Sequence, residues 1–263
     1  MNLFEAIVLG IIQGITEFLP VSSSGHLELG KYLFGIDHEA NFYFSIAVHG
    51  ATVLSTIIVF RKEIAGLVKG LFSFKLNEET QYILKLIISM IPVGLAGIFM
   101  YDLILETFSG NMITLGIHFM ITALILGLTM IIKPVERPMT YLDSFIVGLA
   151  QALAVLPGIS RSGATIASGM MIGNRKSDIA KFSFLMVLVP VIGANILEMS
   201  SGDFTREGTS LIVILAGFLT ALISGYLACK WMISIVKKGS LKWFALYCVL
   251  IGIYSLLLGL HVF

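Results

Sequence analysis

The chain has 263 residues, of which 57% are hydrophobic and 13% are charged, and its formal net charge is +1. The mean hydropathy of +0.96 excludes an ordinary soluble domain, in which about a quarter of the residues are charged. A net charge near zero gives no support to a nucleic-acid partner. The composition therefore predicts an integral membrane protein surrounded by membrane lipids.

The chain opens with an unusually polar motif, GIIQGITEFLPVSSSG at residues 10–25. A short apolar helix is interrupted there by a proline, three serines and a glycine. Non-helical backbone at membrane depth is tolerated only where it is buried in protein or lines a wet cavity. We therefore predict a re-entrant helical hairpin within residues 1–36.

Six apolar segments follow that are long enough to span a membrane. A hydrocarbon core of about 30 Å takes about 20 mostly apolar residues in a helix. The predicted spans are Phe42–Phe60, Leu86–Tyr101, Met112–Ile132, Phe182–Leu197, Leu211–Cys229 and Trp243–Phe263. The predicted fold class is all-α, with six transmembrane helices and two re-entrant helical hairpins.

The second hairpin comes from an internal repeat. GLAQALAVLPGISRSG, at residues 148–163, matches the opening motif with an offset of 138 residues, as between Gly25 and Gly163. We predict two halves, 1–138 and 139–263, each with a re-entrant motif (1–36 and 141–172) followed by three spans. Three crossings place the start of the second half on the opposite side of the membrane from the start of the first half, so the second half is inverted. In such inverted repeats, discontinuous helices form binding sites near the bilayer midplane.

Basic residues are concentrated on one side of this topology, which holds most of the seventeen in the chain. The positive-inside rule makes that side cytoplasmic and predicts both termini outside. The residues on the basic side are Arg61, Lys62, Lys69, Lys75, Lys133, Arg137, Arg175, Lys176, Lys181, Lys230, Lys237, Lys238 and Lys242.

The polar groups of the two motifs predict one shared site for an anionic phosphate group. The guanidinium of Arg161 is a fork of donors for phosphate oxygens, and hydroxyl groups and the N-termini of the short helices add further donors. The first motif contributes Glu17, Ser22, Ser23, Ser24 and His26, and the second contributes Ser160, Arg161, Ser162 and Thr165.

Glu17 and His26 indicate chemistry beyond binding. A carboxylate beside a phosphate would repel it unless the carboxylate holds a divalent cation or acts as a base. His26 can exchange a proton near neutral pH, and Ser23 could act as a nucleophile. A Ser/Gly cluster alone is more often a helix-packing surface, but three costly ionisable groups on the repeated motifs favour function. No role is assigned to His118, and that of His49 stays open.

The motifs GIIQGITEFLPVSSSGH and LPGISRSGAT resemble the two signatures of the bacterial undecaprenyl-diphosphate phosphatase family, also called the bacitracin resistance protein family. The resemblance covers essentially the whole chain. It implies an enzyme of the bacterial plasma membrane that hydrolyses undecaprenyl diphosphate to undecaprenyl phosphate, recycling the carrier lipid for cell-wall synthesis and conferring bacitracin resistance.

The resemblance also implies residue roles. Glu17 would be the essential acid, Ser23 the nucleophile, His26 the acid/base partner and Arg161 the phosphate clamp, with Mg²⁺ or Ca²⁺ as cofactor. It implies a site open to the extracytoplasmic side, and a homodimer is expected. Many members of the family have an acid where this chain has Gln13, one helical turn before Glu17, so these two residues together are the predicted cation ligands.

A second function remains open, that of a polyprenyl-phosphate flippase or anion transporter using the same cavity. Inverted repeats are the usual architecture of alternating access. Glu17 together with His26 favours hydrolysis, because a site that only binds an anion would have little use for them.

Overall fold

A computed structural model describes residues 1–36, 42–100, 111–132, 135–201, 210–238 and 241–260. Apart from one isolated bridge between Arg137 and Asn174, these residues contain no β-structure, so the predicted all-α fold is confirmed. The helices are α1 (Leu3–Phe18), α2 (Ser23–Phe34), α3 (Phe42–Val59), α4 (Arg61–Leu71), α5 (Glu78–Phe99), α6 (Met112–Leu128), α7 (Tyr141–Leu153), α8 (Arg161–Met171), α9 (Lys176–Met186), α10 (Leu188–Ser201), α11 (Leu211–Lys238) and α12 (Lys242–Gly259).

Several of these helices are long and apolar enough to cross a membrane. Within the described residues, the stretches are Glu78–Phe99, Lys176–Ile196, Leu211–Val236 and Lys242–Gly259. A fifth candidate is the pair α3 and α4, bent by 76°, and α6 is an apolar helix of 17 residues. The chain is a multi-pass membrane protein. The number of six spans stays a prediction.

The helix boundaries differ from the predicted spans for local reasons. The helix predicted from Leu86 begins at Glu78, because the side chain of Asn77 accepts a hydrogen bond from the backbone N–H of Thr80 and caps a polar first turn. The span predicted over Phe182–Leu197 is divided at Val187 between α9 and α10. Tyr101 and residues 261–263 lie outside the described residues.

The two motifs form matched helix pairs, α1 with α2 and α7 with α8. In both pairs a serine caps the second helix: Ser22 before Ser23, and Ser160 before Arg161. Each first helix packs on a helix of the other half, α1 on α11 and α7 on α5. This reciprocal packing supports two related halves. Their boundary at residues 138 and 139 and their inverted orientation stay predictions.

Glycines allow this close packing. Gly10 and Gly148 are equivalent in the repeat. A Cβ atom at Gly10 would lie 2.5 Å from the carbonyl oxygen of Gly217, and one at Gly148 would clash with the carbonyl oxygen of Ser89. The small residue lets two helix backbones approach each other.

We expect Gly148→Ala to destabilise the protein by about 1–3 kcal/mol, because the added methyl group forces α7 away from α5. The measurement is the thermal unfolding midpoint in detergent. Gly94→Ala in α5 is the matched control, since a Cβ atom at Gly94 has nothing within 4 Å. Equal midpoints for the two variants would contradict the close-packing account.

Candidate functional site

The segments that connect the two helices of each pair contact each other. We call them the two tips: residues 19–25 between α1 and the first turn of α2, and residues 154–163 between α7 and the first turn of α8. The backbone N–H of Gly158 donates to the hydroxyl of Ser22 (3.1 Å), and the hydroxyl of Ser162 donates to the carbonyl oxygen of Leu19 (3.0 Å). Each tip thereby satisfies a backbone group of the other that has no helical partner. The two motifs, far apart in sequence, meet at this point.

Helix α6 braces the second tip. The hydroxyl of Thr122 donates to the carbonyl oxygen of Gly158 and accepts from the N–H of Ser160, both at 2.9 Å. The Nδ1 atom of His118 lies 2.6 Å from the carbonyl oxygen of Pro157. His118 therefore holds this loop in place.

Ser22 is the N-cap of α2 and has an unusual backbone. Its φ angle is 71°, in the left-handed region that costs a non-glycine residue free energy. Its hydroxyl accepts hydrogen bonds from the N–H groups of Gly25 (3.3 Å) and Gly158 (3.1 Å). These two bonds offset the strain and connect the capped helix to the opposite tip.

Glu17, at the end of α1, is the centre of the polar cluster. Its Oε2 atom accepts from the Ser23 hydroxyl (2.6 Å) and from Nε2 of Gln13 (2.9 Å), while Oε1 pairs with the guanidinium of Arg161. The Glu17 side chain is only 9% exposed, so its charge requires such partners. Four of the predicted site residues are thus in direct contact.

The hydrogen bonds of His26 are made to Ser22 and Tyr247 and not to Glu17. Its Nδ1 atom lies 2.7 Å from the carbonyl oxygen of Ser22, and its Nε2 atom lies 2.7 Å from the hydroxyl of Tyr247. The rings of His26 and Tyr247 stack with centroids 5.6 Å apart. A carbonyl can only accept, so Nδ1 carries the hydrogen and Nε2 of the neutral ring accepts from Tyr247. Both ring nitrogens are therefore engaged away from Glu17.

The hydroxyl groups of three other residues predicted to bind phosphate, Ser160, Thr165 and Ser24, mainly contact neighbouring groups of the protein. The hydroxyl of Ser160 accepts from the N–H of Gly163 (3.0 Å) and caps α8. Thr165 contacts the carbonyl oxygen of Arg161 (2.8 Å) and the hydroxyl of Ser183 (2.6 Å). Ser24 lies half-buried, 3.4 Å from the Ser22 hydroxyl.

A cavity opens beside Glu17 and Arg161. Its empty space, including the mouth, is about 370 Å³. The polar end is formed by Glu17, Arg161, Ser162 and Ser183. The other lining residues are Phe18, Thr52, Val53, Thr56, Phe184, Val187 and Val191. The polar end of this cavity offers contacts to an anionic group, and its apolar wall offers contacts to a hydrocarbon chain.

Sequence reasoning missed two residues of this region. Ser183 lies in the cavity wall, and the repeat offset that pairs it with Ser45 was a signal that could have found it. Tyr247 contacts His26 from α12, and no local pattern in the sequence indicates that contact.

The predicted cation ligands Gln13 and Glu17 are in contact with each other. The Oε1 atom of Gln13 is buried and has no hydrogen-bond partner in the described part of the chain, and the Glu17 carboxylate accepts from the other end of the same amide. No cluster of three or more His, Cys, Asp or Glu side chains occurs among the described residues. A cation here would take the rest of its ligands from phosphate and water oxygens, as Mg²⁺ often does.

The fold and the site define a class: an α-helical multi-pass membrane protein in which two repeated helix pairs bring a buried glutamate and an arginine together. The comparisons with known proteins narrow this class. Residues 6–254 match the family model of the bacitracin resistance protein BacA, and the chain belongs to that family.

Curated relatives cover nearly the whole chain. The undecaprenyl-diphosphatase of Parabacteroides distasonis is 46% identical over 260 residues, which cover 97% of this chain and 98% of that protein. The undecaprenyl-diphosphatase of Bacteroides fragilis is 46% identical over 263 residues, which cover 98% and 99%. That of Oceanobacillus iheyensis is 37% identical over 275 residues, which cover 98% and 99%.

We expect Ser22→Ala to destabilise the protein by about 1–2 kcal/mol, because it removes a helix cap and leaves the buried N–H of Gly158 without an acceptor. The thermal midpoint in detergent measures the effect. Ser24→Ala is the control, since its hydroxyl makes only a long contact of 3.4 Å with Ser22. A Ser22→Ala midpoint no lower than that of Ser24→Ala would be inconsistent with the interlocked tips.

Proposed function

We propose that this protein hydrolyses undecaprenyl diphosphate to undecaprenyl phosphate and inorganic phosphate, the activity in the names of its curated relatives. One observation carries the proposal: Glu17 contacts both Ser23 and Arg161 at the polar end of a cavity with apolar walls. This reaction recycles the carrier lipid for cell-wall synthesis and reduces the amount of diphosphate available to bacitracin.

In the proposed complex the diphosphate lies at the polar end and the prenyl chain follows the apolar walls. Arg161 donates to the phosphate oxygens, and Val53 and Phe184 contact the first isoprene units. The distribution of basic residues supports an opening on the extracytoplasmic side of the plasma membrane. The homodimer stays a prediction.

The contact between Ser23 and Glu17 supports a specific first step. The Ser23 hydroxyl already donates to Glu17 at 2.6 Å, so Glu17 can take that proton while Ser23 Oγ attacks the terminal phosphorus. The bond to the bridging oxygen breaks, and its electron pair leaves with undecaprenyl phosphate. Water then attacks the phosphoserine, Glu17 returns the proton to Ser23 Oγ, and phosphate leaves with the protons of the water. His26 is the proposed proton donor to the leaving group in the protonated form of its ring, in which Nε2 carries a hydrogen and no longer accepts from Tyr247.

Positive charge near the phosphates stabilises the transition state of phosphoryl transfer, which depends mainly on positioning and charge neutralisation. Arg161 supplies one such charge. Gln13 and Glu17 would hold Mg²⁺ or Ca²⁺, which when bound neutralises charge on phosphate oxygens. For the flippase or transporter alternative, neither the matched relatives nor the described residues provide a supporting observation.

Glu17→Gln tests the proposed base. We expect kcat for phosphate release from undecaprenyl diphosphate to fall at least about 100-fold, because an amide cannot accept the Ser23 proton. Glu5→Gln in the same helix is the control, since glutamine can keep the capping interaction that Glu5 makes with Asn2. Phosphate release is measured on pure protein in detergent. No release by the wild type with any divalent cation would argue for transport.

Ser23→Ala tests the covalent intermediate. Substrate labelled with ³²P in its terminal phosphate should leave label on rapidly quenched wild-type protein and none on the variant. Turnover should fall about 100-fold or more, because the attacking oxygen is lost. A Ser23→Ala variant with full activity would remove Ser23 from the mechanism and leave water as the nucleophile.

Gln13→Leu tests the proposed cation ligands. We expect the Mg²⁺ concentration for half-maximal activity to rise several-fold, because one oxygen ligand is lost. Titration of phosphate release against Mg²⁺ after treatment with a chelator measures it. An unchanged half-maximal concentration would show that Gln13 does not bind the cation.

A further inference from the structure

His49 lies on the face of α3 that borders the cavity. Thr52, Val53 and Thr56 line the cavity, and they follow His49 by three, four and seven residues, the spacing of a single helix face. The hydroxyl of Thr52 donates to the carbonyl oxygen of His49 at 2.8 Å. His49 thus continues the cavity wall by one turn.

The internal repeat gives independent support for this placement. With the offset of 138 residues, Val53 corresponds to Val191 and His49 corresponds to Val187. Val53, Val191 and Val187 all line the cavity. Position 49 is therefore the counterpart of an established wall position, and here it carries an ionisable ring.

The ring of His49 has a defined orientation. Its Nδ1 atom lies 2.8 Å from the carbonyl oxygen of Ser45, so Nδ1 carries a hydrogen and donates it. His49 is half-buried. Its Nε2 atom has no hydrogen-bond partner within the described ranges, in contrast to His26, where both nitrogens are engaged. On a protonated ring Nε2 is a further donor.

The charges of the cavity favour such a donor. The charged residues that line the cavity are Glu17 and Arg161, and they are paired with each other. That pair is nearly neutral, whereas a diphosphate brings more than one negative charge. On the side of α10, the neutral amide of Asn195 would lie 3.8 Å from a Cβ atom at Gly50, the residue after His49. A protonated His49 would supply a second positive charge from the α3 side.

We propose that His49 contacts the substrate, donating a hydrogen bond from Nε2 of its protonated ring to an oxygen of the bound diphosphate. This inference rests on the proposed phosphatase function and adds a specificity-determining residue to the same site. The ligand chemistry is that of a diphosphate head group, whether it is attached to a lipid or free.

The test uses His49→Leu and His49→Gln in the full-length protein in detergent, with undecaprenyl diphosphate as substrate and inorganic pyrophosphate as inhibitor. For His49→Leu we expect KM and the pyrophosphate inhibition constant both to rise about ten-fold, with kcat within about three-fold, because a charged hydrogen bond to the ligand is lost. His49→Gln keeps a neutral donor, so its KM should stay within about three-fold of the wild-type value.

Ser55→Ala is the control on the face of α3 that packs on α11, where the Ser55 hydroxyl donates to the carbonyl oxygen of Leu222 (2.9 Å). It perturbs the packing of α3 on α11 and should leave KM unchanged. Wild-type phosphate release tests the proposed function separately, so failure of that function is distinguishable from failure of the His49 contact.

Three results would overturn the proposal. The first is a KM for His49→Leu within two-fold of the wild-type value. The second is a loss of kcat alone, with unchanged inhibition by pyrophosphate. The third is a rise in KM for the lipid without weaker pyrophosphate inhibition, which would place the contact on the lipid chain. If His49→Leu does not fold, His49→Asn replaces it, with the same expected rise, because its shorter amide does not reach the ligand.

Discussion

The structure depends on the requirement that backbone polar groups in a membrane find partners within the protein. Each motif interrupts a helix and exposes groups that a continuous helix would have satisfied. The two tips solve this problem for each other, through the bonds from Gly158 to Ser22 and from Ser162 to Leu19. Glu17 and Arg161 are attached to opposite tips, so the same bonds that satisfy the backbone also assemble the site.

The repeat supplies one backbone arrangement twice, but the chemistry is asymmetric. Ser23 and Arg161 are the first residues of equivalent helices, α2 and α8, and one is the proposed nucleophile while the other is the proposed clamp. Glu17 corresponds to Val155 in the second copy. The amide of Gln151, the counterpart of Gln13, has no hydrogen-bond partner in the part of the chain that the structure describes. Substitutions on a shared scaffold thus account for one polar cluster instead of two.

Features with local or repeated signals could be predicted from the sequence. Proline followed by serine and glycine indicated both interrupted helices, and the repeat indicated that the two motifs meet. Contacts made by distant segments had no such signal: Tyr247 reaches His26 across 221 positions, and Thr122 bonds to both Gly158 and Ser160. The length of the apolar segment also underestimated the length of α5. A membrane helix extends beyond the hydrocarbon core when a cap such as Asn77 stabilises its polar end.

The ion pair between Glu17 and Arg161 links substrate binding to catalysis in the proposed reaction. While Arg161 holds one carboxylate oxygen, its guanidinium stabilises the charged form of Glu17 and weakens Glu17 as a base. A diphosphate that enters the cavity competes for the same guanidinium and draws it away. The carboxylate then loses its strongest partner while keeping the 2.6 Å contact to Ser23, and its affinity for the serine proton rises. Binding energy from the phosphates is thereby used to activate the nucleophile only when substrate is present.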